Sequence, residues 1–149
     1  MTQSNTFFQR LLDTDAGWGT LALRLTAGLI FAAHGSQKLF GWFGGYGLEG
    51  TGQWMQSIGL APGYLMALLA GAAEFFGGLA LIVGLLVRPA AVALAFAMLV
   101  AIFSVHVGKG LFVAQNGYEF ALALLGVALA LAISGGGRAS IDRVITQTA

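Results

Sequence analysis

The chain of 149 residues is 58% hydrophobic and only 9% charged, with a mean hydropathy of +0.84. A water-soluble domain carries about a quarter charged residues, so this sequence cannot cover itself in polar surface and reads as an integral membrane protein. A net charge of +1 leaves no basic patch for nucleic acid, and the lack of cysteine removes disulfides, thiolate chemistry and cysteine metal sites.

Residues 1–16 form a polar lead in which Phe7, Phe8, Leu11 and Leu12 can lie on a membrane as an amphipathic turn. The lead carries Asp13 and Asp15 and has no short apolar core with a cleavage site, so no cleaved signal peptide is expected. Four apolar runs follow, at about 17–35, 64–87, 90–107 and 118–134, each near the ~20 residues needed to cross a hydrocarbon core. The expected fold is all-α: a membrane four-helix bundle forming one transmembrane domain over residues 1–149, with a polar tail at 135–149. The connection from Ser36 to Gly63 is long and rich in glycine and aromatics, with a short helix expected to end at Gly59. Loops of this length are usually functional. By contrast, Arg88-Pro89 makes a tight turn between the second and third runs.

Arg10, Arg88, Arg138 and Arg143 fall on one side of this topology, and only Lys38 and Lys109 on the other. The positive-inside rule then places both termini in the cytoplasm. A faint internal echo suggests two hairpins in parallel repeat: His34 with Lys38 precedes Glu74-Phe75, and His106 with Lys109 precedes Glu119-Phe120.

Arg24 lies ten residues before His34, and Glu74 ten residues after Tyr64 at the outer start of its run, each a depth of ~15 Å. A lone charge there costs ~2.5–3.5 kcal/mol on insertion scales, so an Arg24–Glu74 buried ion pair is expected. It would either fix helix register or form part of a polar pocket. Arg24, Gly28, Phe31, Gly35 and Lys38 share one helical face, as do Gly71, Glu74, Gly78 and Leu81. Small residues on such faces let membrane helices pack closely.

A second polar layer gathers at the outer helix ends: His34, Lys38, His106, Lys109 and Glu119. The lysines could simply snorkel to headgroups. Neutral imidazoles could instead ligate a metal or haem, or donate to a quinone oxygen. Two histidines make a poor metal site and no haem-attachment motif is present, so quinone is the better-supported cofactor and no metal is expected. Candidate catalytic residues are His34, Lys38, Glu74, His106 and Glu119. Candidate contacts for a quinone or a lipid-like ligand are His34, Lys38, His106, Lys109 and Trp42, the last from an aromatic loop able to stack on a flat ring. The alanines at positions 90, 91, 93, 95 and 97 offer a close-packing face for a homodimer.

The run Arg24-Leu25-x-x-Gly28 leading to His34-Gly35-x-x-Lys38-Leu39-Phe40-Gly41 resembles the DoxX family of small four-helix bacterial membrane proteins. The resemblance continues through Glu74-Phe75-x-Gly77-Gly78, Gly84-Leu85-x-x-Arg88 and Ser140-Ile141-Asp142-Arg143. It implies a bacterial inner-membrane location. Some relatives are described as subunits of quinone-linked enzymes, such as a thiosulfate:quinone oxidoreductase or a terminal quinol oxidase. Others are partners in assemblies linked to oxidative stress, and more distant ones are cargo receptors or assembly factors. Two functions are therefore expected as alternatives: an accessory membrane module serving redox partner subunits, or a quinone-binding oxidoreductase subunit.

Overall fold

A computed structural model describes residues 9, 12–14 and 16–148. The amphipathic turn expected around Phe7, Phe8 and Leu11 lies outside these residues, as does Arg10, while Leu12 is buried. Six α-helices follow: α1 (Gly19–Phe40), α2 (Gly47–Ser57), α3 (Gly63–Val83), α4 (Val87–Ala101), α5 (Glu119–Ser134) and α6 (Ile141–Thr148). The axis of α4 continues through a π-helical turn, Ile102–His106, and a 3-10 turn, Val107–Lys109. No strand occurs among the described residues.

The segments Gly63–Val83 and Val87–Lys109 are each long and apolar enough to cross a membrane. Their outward side chains include Leu69, Phe76, Val92, Phe96 and Phe103, all exposed although the bundle has a core to receive such groups. Large apolar residues facing outward along long helices are what lipid contact requires. The protein is an all-α membrane protein whose four long helices form the bundle, with α2 lying within the long first connection.

Helix α1 runs five residues beyond Gly35, the position expected to end it. Gly35 serves a different purpose, because a Cβ there would collide with the Phe75 backbone of α3. The actual stop is Gly41, whose φ of +73° is the left-handed C-cap conformation. The approach of α1 to α3 recurs at Gly28 opposite Gly78 and Ile82, so the two helices pack antiparallel in a fixed register. Helix α4 packs on α5 and along α3. Ala91 and Ala95, expected to offer a dimer face, lie inside the bundle core beside Leu94, Met98, Leu124 and Leu131, with Ala90 and Ala97 against that core. Ala93, the fifth of these alanines, is exposed on the outer side of α4.

The end of the bundle formed by Phe40, Gly63, His106 and Glu119 is called the mouth end below, and that formed by Gly19, Val83, Val87 and Ser134 the tail end.

Candidate functional site

The buried arginine belongs to the tail end. Arg24 is only 1% exposed, and its guanidinium donates to four backbone carbonyls. Nε reaches Leu81 O at 2.8 Å, Nη2 reaches Ile82 O at 3.3 Å, and Nη1 reaches Gly136 O at 2.5 Å and Ala139 O at 2.9 Å. Leu81 and Ile82 lie in the last turn of α3, where carbonyls lack helical partners and the helix dipole is negative. Arg24 therefore caps α3 and ties it to the segment leading into α6. Arg88 acts similarly on α5, donating to Ala132 O at 3.0 Å and Ile133 O at 2.6 Å. Asp142 is buried below the α3–α4 turn and accepts from Leu86 N at 2.7 Å and Val87 N at 2.9 Å, capping α4.

The expected Arg24–Glu74 pair does not form, for two reasons. With α1 ending at Phe40, Arg24 lies sixteen residues from the mouth end, ~24 Å, whereas Glu74 lies eleven residues from Gly63, ~16 Å. Helical side chains also lean toward their own N-terminus. On α1 that sends Arg24 toward the tail end, and on antiparallel α3 it sends Glu74 toward the mouth.

The same lean brings Glu74 to Lys38. Lys38 Nζ and Glu74 Oε2 are 2.5 Å apart, the one salt bridge among the described residues. The pair is asymmetric: the side chain of Glu74 is 6% exposed and that of Lys38 24%. Both line a cavity of about 550 Å³ between α1, α3, α4 and α5, beneath α2. Its walls are mainly apolar, with Phe31, Met98 and Leu124 toward the core and the exposed Phe120 at its edge, and its polar groups are His34, Lys38, Glu74, His106, Tyr46 and Asn116. His34 faces Phe120, with ring centroids 6.2 Å apart. His106, on the π-helical turn, shares a 2.8 Å hydrogen bond between its Nδ1 and Asn116 O, which orients its ring. A π-turn re-aims side chains relative to a regular helix, and such turns are frequent at functional sites.

The cavity has a roof that is firmly fixed. Gly63 and Gly52 bring the start of α3 against α2 so closely that a Cβ on Gly63 would strike the Gly52 carbonyl. Gln56 Oε1 accepts from Gly63 N at 2.7 Å. From this roof Trp54 and Met55 reach the cavity.

Four of the expected site residues thus border one cavity: His34, Lys38, Glu74 and His106. Three expected ones do not. Lys109 is exposed beyond the π-helical turn, and Trp42 stacks on Phe40 with centroids 5.0 Å apart, outside the cavity. Glu119 Oε1 accepts from Val113 N at 2.7 Å, holding the loop before α5. Tyr46, Trp54 and Asn116 border the cavity without having been singled out as ligand contacts. Tyr46 and Trp54 gave only the general signal of an aromatic-rich loop, and Asn116 gave none beyond lying near the second histidine. Among the described residues no group of three or more His, Asp or Glu is placed to hold a metal ion.

Fold and site together define a small helical membrane protein with a polar-edged cavity at one end. The chain belongs to the DoxX family, whose model matches residues 19–107. That match takes in the four cavity residues from His34 to His106 and stops before Glu119 and the tail. CatD of Bacillus subtilis (strain 168), provisionally named an oxidoreductase, is 37% identical over 113 residues, covering 76% of this chain and 78% of CatD. The inner membrane protein YqjF of Escherichia coli (strain K12) is 33% identical over 129 residues, covering 87% and 93% of the two chains. No solved structure matches the chain.

Proposed function

We propose that the protein is a subunit of the bacterial inner membrane that holds a quinone-class molecule in the mouth-end cavity and serves a larger redox or oxidative-stress-linked assembly. The reading rests on the Lys38–Glu74 pair on the wall of an apolar cavity bordered by both histidines of the chain. Ligand sites of this kind are mostly apolar clefts of ~300–1,000 Å³ with a few convergent polar groups. In this reading a flat ring lies among Phe31, Met98 and Phe120 of the lining, with an oxygen toward His34 or Lys38. Quinone reduction consumes two electrons and two protons. Glu74 and Lys38 supply a carboxylate–ammonium pair able to hold and pass a proton at the ring edge. The chain has no cysteine, so no thiol of its own supplies the electrons; in this reading a partner subunit does. The names of CatD and YqjF support a redox setting and an inner-membrane location. In this reading the four long helices make four passes, and the arginine-rich tail end faces the cytoplasm.

The test is titration of the protein in lipid nanodiscs with oxidised and reduced decylubiquinone, followed by tryptophan fluorescence. His34→Ala and Glu74→Gln should each weaken binding by about tenfold or more. Equal affinity in wild type and both variants overturns the proposal. A visible absorption spectrum of the purified protein checks the haem alternative. A Soret band lost in both His34→Ala and His106→Ala would replace quinone by haem.

A further inference from the structure

A second cavity of about 540 Å³ adjoins the first, and Lys38, Tyr46 and Trp54 line both. The rest of its lining is Gln37, Thr51 and the glycines 44, 45 and 50. This outer chamber differs in chemistry from the inner one. It has one cation, four further side chains with N–H or O–H donors in Gln37, Tyr46, Thr51 and Trp54, and no carboxylate in its lining, the Gln37 amide donating to Phe43 O at 3.3 Å. Glu49, the nearest acidic residue in sequence, is exposed and accepts from Gln53 Nε2 at 3.1 Å on the other side of α2. Glu74 lines the inner cavity only. Tyr46 of the lining and Phe40, Trp42 and Phe43 just before it in the chain are exposed rings that suit the membrane–water interface, the level of lipid headgroups.

We propose that the outer chamber is an oxyanion site, for the phosphate of an anionic lipid headgroup or a free phosphate, in which Lys38 is shared between the bound anion and Glu74. Apart from Glu74 on Lys38, no carboxylate competes for the chamber's donors, which favours an acceptor-rich, negatively charged group. Lys38 is the chamber's one cation, and it already neutralises Glu74. An anion in the outer chamber draws the ammonium away and leaves the Glu74 carboxylate freer toward the inner cavity. The two cavities are thus coupled through one side chain. The site stands on the lining of the outer chamber and does not depend on a quinone in the inner one.

A Trp18→Phe/Trp42→Phe background leaves Trp54, which borders both cavities, as the sole tryptophan. In phosphatidylcholine nanodiscs this protein is titrated with dihexanoyl phosphatidylglycerol, with dihexanoylglycerol, which lacks the phosphate, and with inorganic phosphate. The phosphatidylglycerol should change Trp54 emission saturably at a concentration at least about tenfold below that needed for dihexanoylglycerol. Thr51→Val should weaken this response severalfold, and Lys38→Met should erase the difference between the two lipids. Because Lys38→Met leaves Glu74 unpaired, Lys38→Met/Glu74→Gln is measured beside it as the charge-neutral control. Inorganic phosphate acting at the same concentration as the lipid supports the site and assigns it to free phosphate. A much weaker phosphate response assigns it to the headgroup. Equal responses to the two lipids in the Trp54-only protein, or a preference that survives in the double variant, overturns the site. Decylubiquinone titrated into the same nanodiscs reports the inner cavity separately.

Discussion

Arg24 and Lys38 are both basic residues on one face of α1, and the protein treats them in opposite ways. Arg24 is sealed at the tail end and spends its guanidinium on four carbonyls from α3 and the segment before α6. Lys38 meets a single carboxylate, stays partly exposed and borders two cavities. The guanidinium has a rigid fork of donors suited to several fixed acceptors, whereas the ammonium is a compact charge on a flexible stem. A buried cation with four of its five donors on backbone carbonyls is architecture. One with a single partner at a cavity wall keeps capacity for a ligand.

The largest effect should follow removal of the tail-end cation. Arg24→Met leaves the last carbonyls of α3 and those of Gly136 and Ala139 without their donor, and should cost roughly 3–5 kcal/mol or prevent folding. Thermal unfolding in detergent measures this, and Arg24→Lys should recover only part of the loss because an ammonium cannot meet four carbonyls in a fork. A fully stable Arg24→Met protein would show that the tail-end network is dispensable.

At the mouth end the single variants should be worse than the pair. Lys38→Met strands a buried carboxylate and should cost roughly 2–4 kcal/mol, while Lys38→Met/Glu74→Gln should regain most of it. Additive losses would mean that the two side chains do not interact in the folded protein.

A third contrast concerns glycine. Gly35→Ala pushes a methyl into the Phe75 backbone and should cost roughly 1–3 kcal/mol. Gly126, which has open space around it, should accept alanine without loss or gain up to about 1 kcal/mol. Equal effects at the two positions would contradict the α1–α3 contact.

The smallest effect is a slope with pH at the tail end. Burial pushes the Asp142 carboxyl above its ordinary value of 3.8, against the pull of the Val87 and Leu86 amides and of Arg24 and Arg88. The folded protein then holds this proton more tightly than the unfolded chain. The group's contribution is fully present below about pH 3.8 and is lost as pH rises through the raised folded value. The stability advantage of wild type over Asp142→Asn should therefore be larger at pH 4 than at pH 7, and an advantage independent of pH would contradict it.

The sequence was most legible where composition and spacing speak directly. The apolar runs gave the helical membrane class, and the three- and four-residue spacing from Arg24 to Lys38 gave a face whose residues Arg24, Gly28, Phe31 and Gly35 are buried. Glycine was where it misled. Gly35 and Gly41 look alike in sequence, yet one is a packing contact within a helix and the other its cap. Mistaking the first for the second shortened α1, shifted the apparent depth of Arg24 and produced the wrong ion pair. The lean of helical side chains would have corrected it, since on antiparallel helices Lys38 and Glu74 converge while Arg24 turns away. The tail was illegible for another reason: two of the four carbonyls that hold Arg24 belong to Gly136 and Ala139, and backbone acceptors carry no residue-type signal.

The central claim is that charge at the mouth end serves a ligand and charge at the tail end serves the fold. Decylubiquinone binding to Lys38→Met/Glu74→Gln tests it most directly, because this variant removes both charges from the cavity wall and strands neither. The double variant should unfold within a few degrees of wild type and bind the quinone at least about tenfold more weakly. A stable variant that binds as tightly as wild type would contradict it.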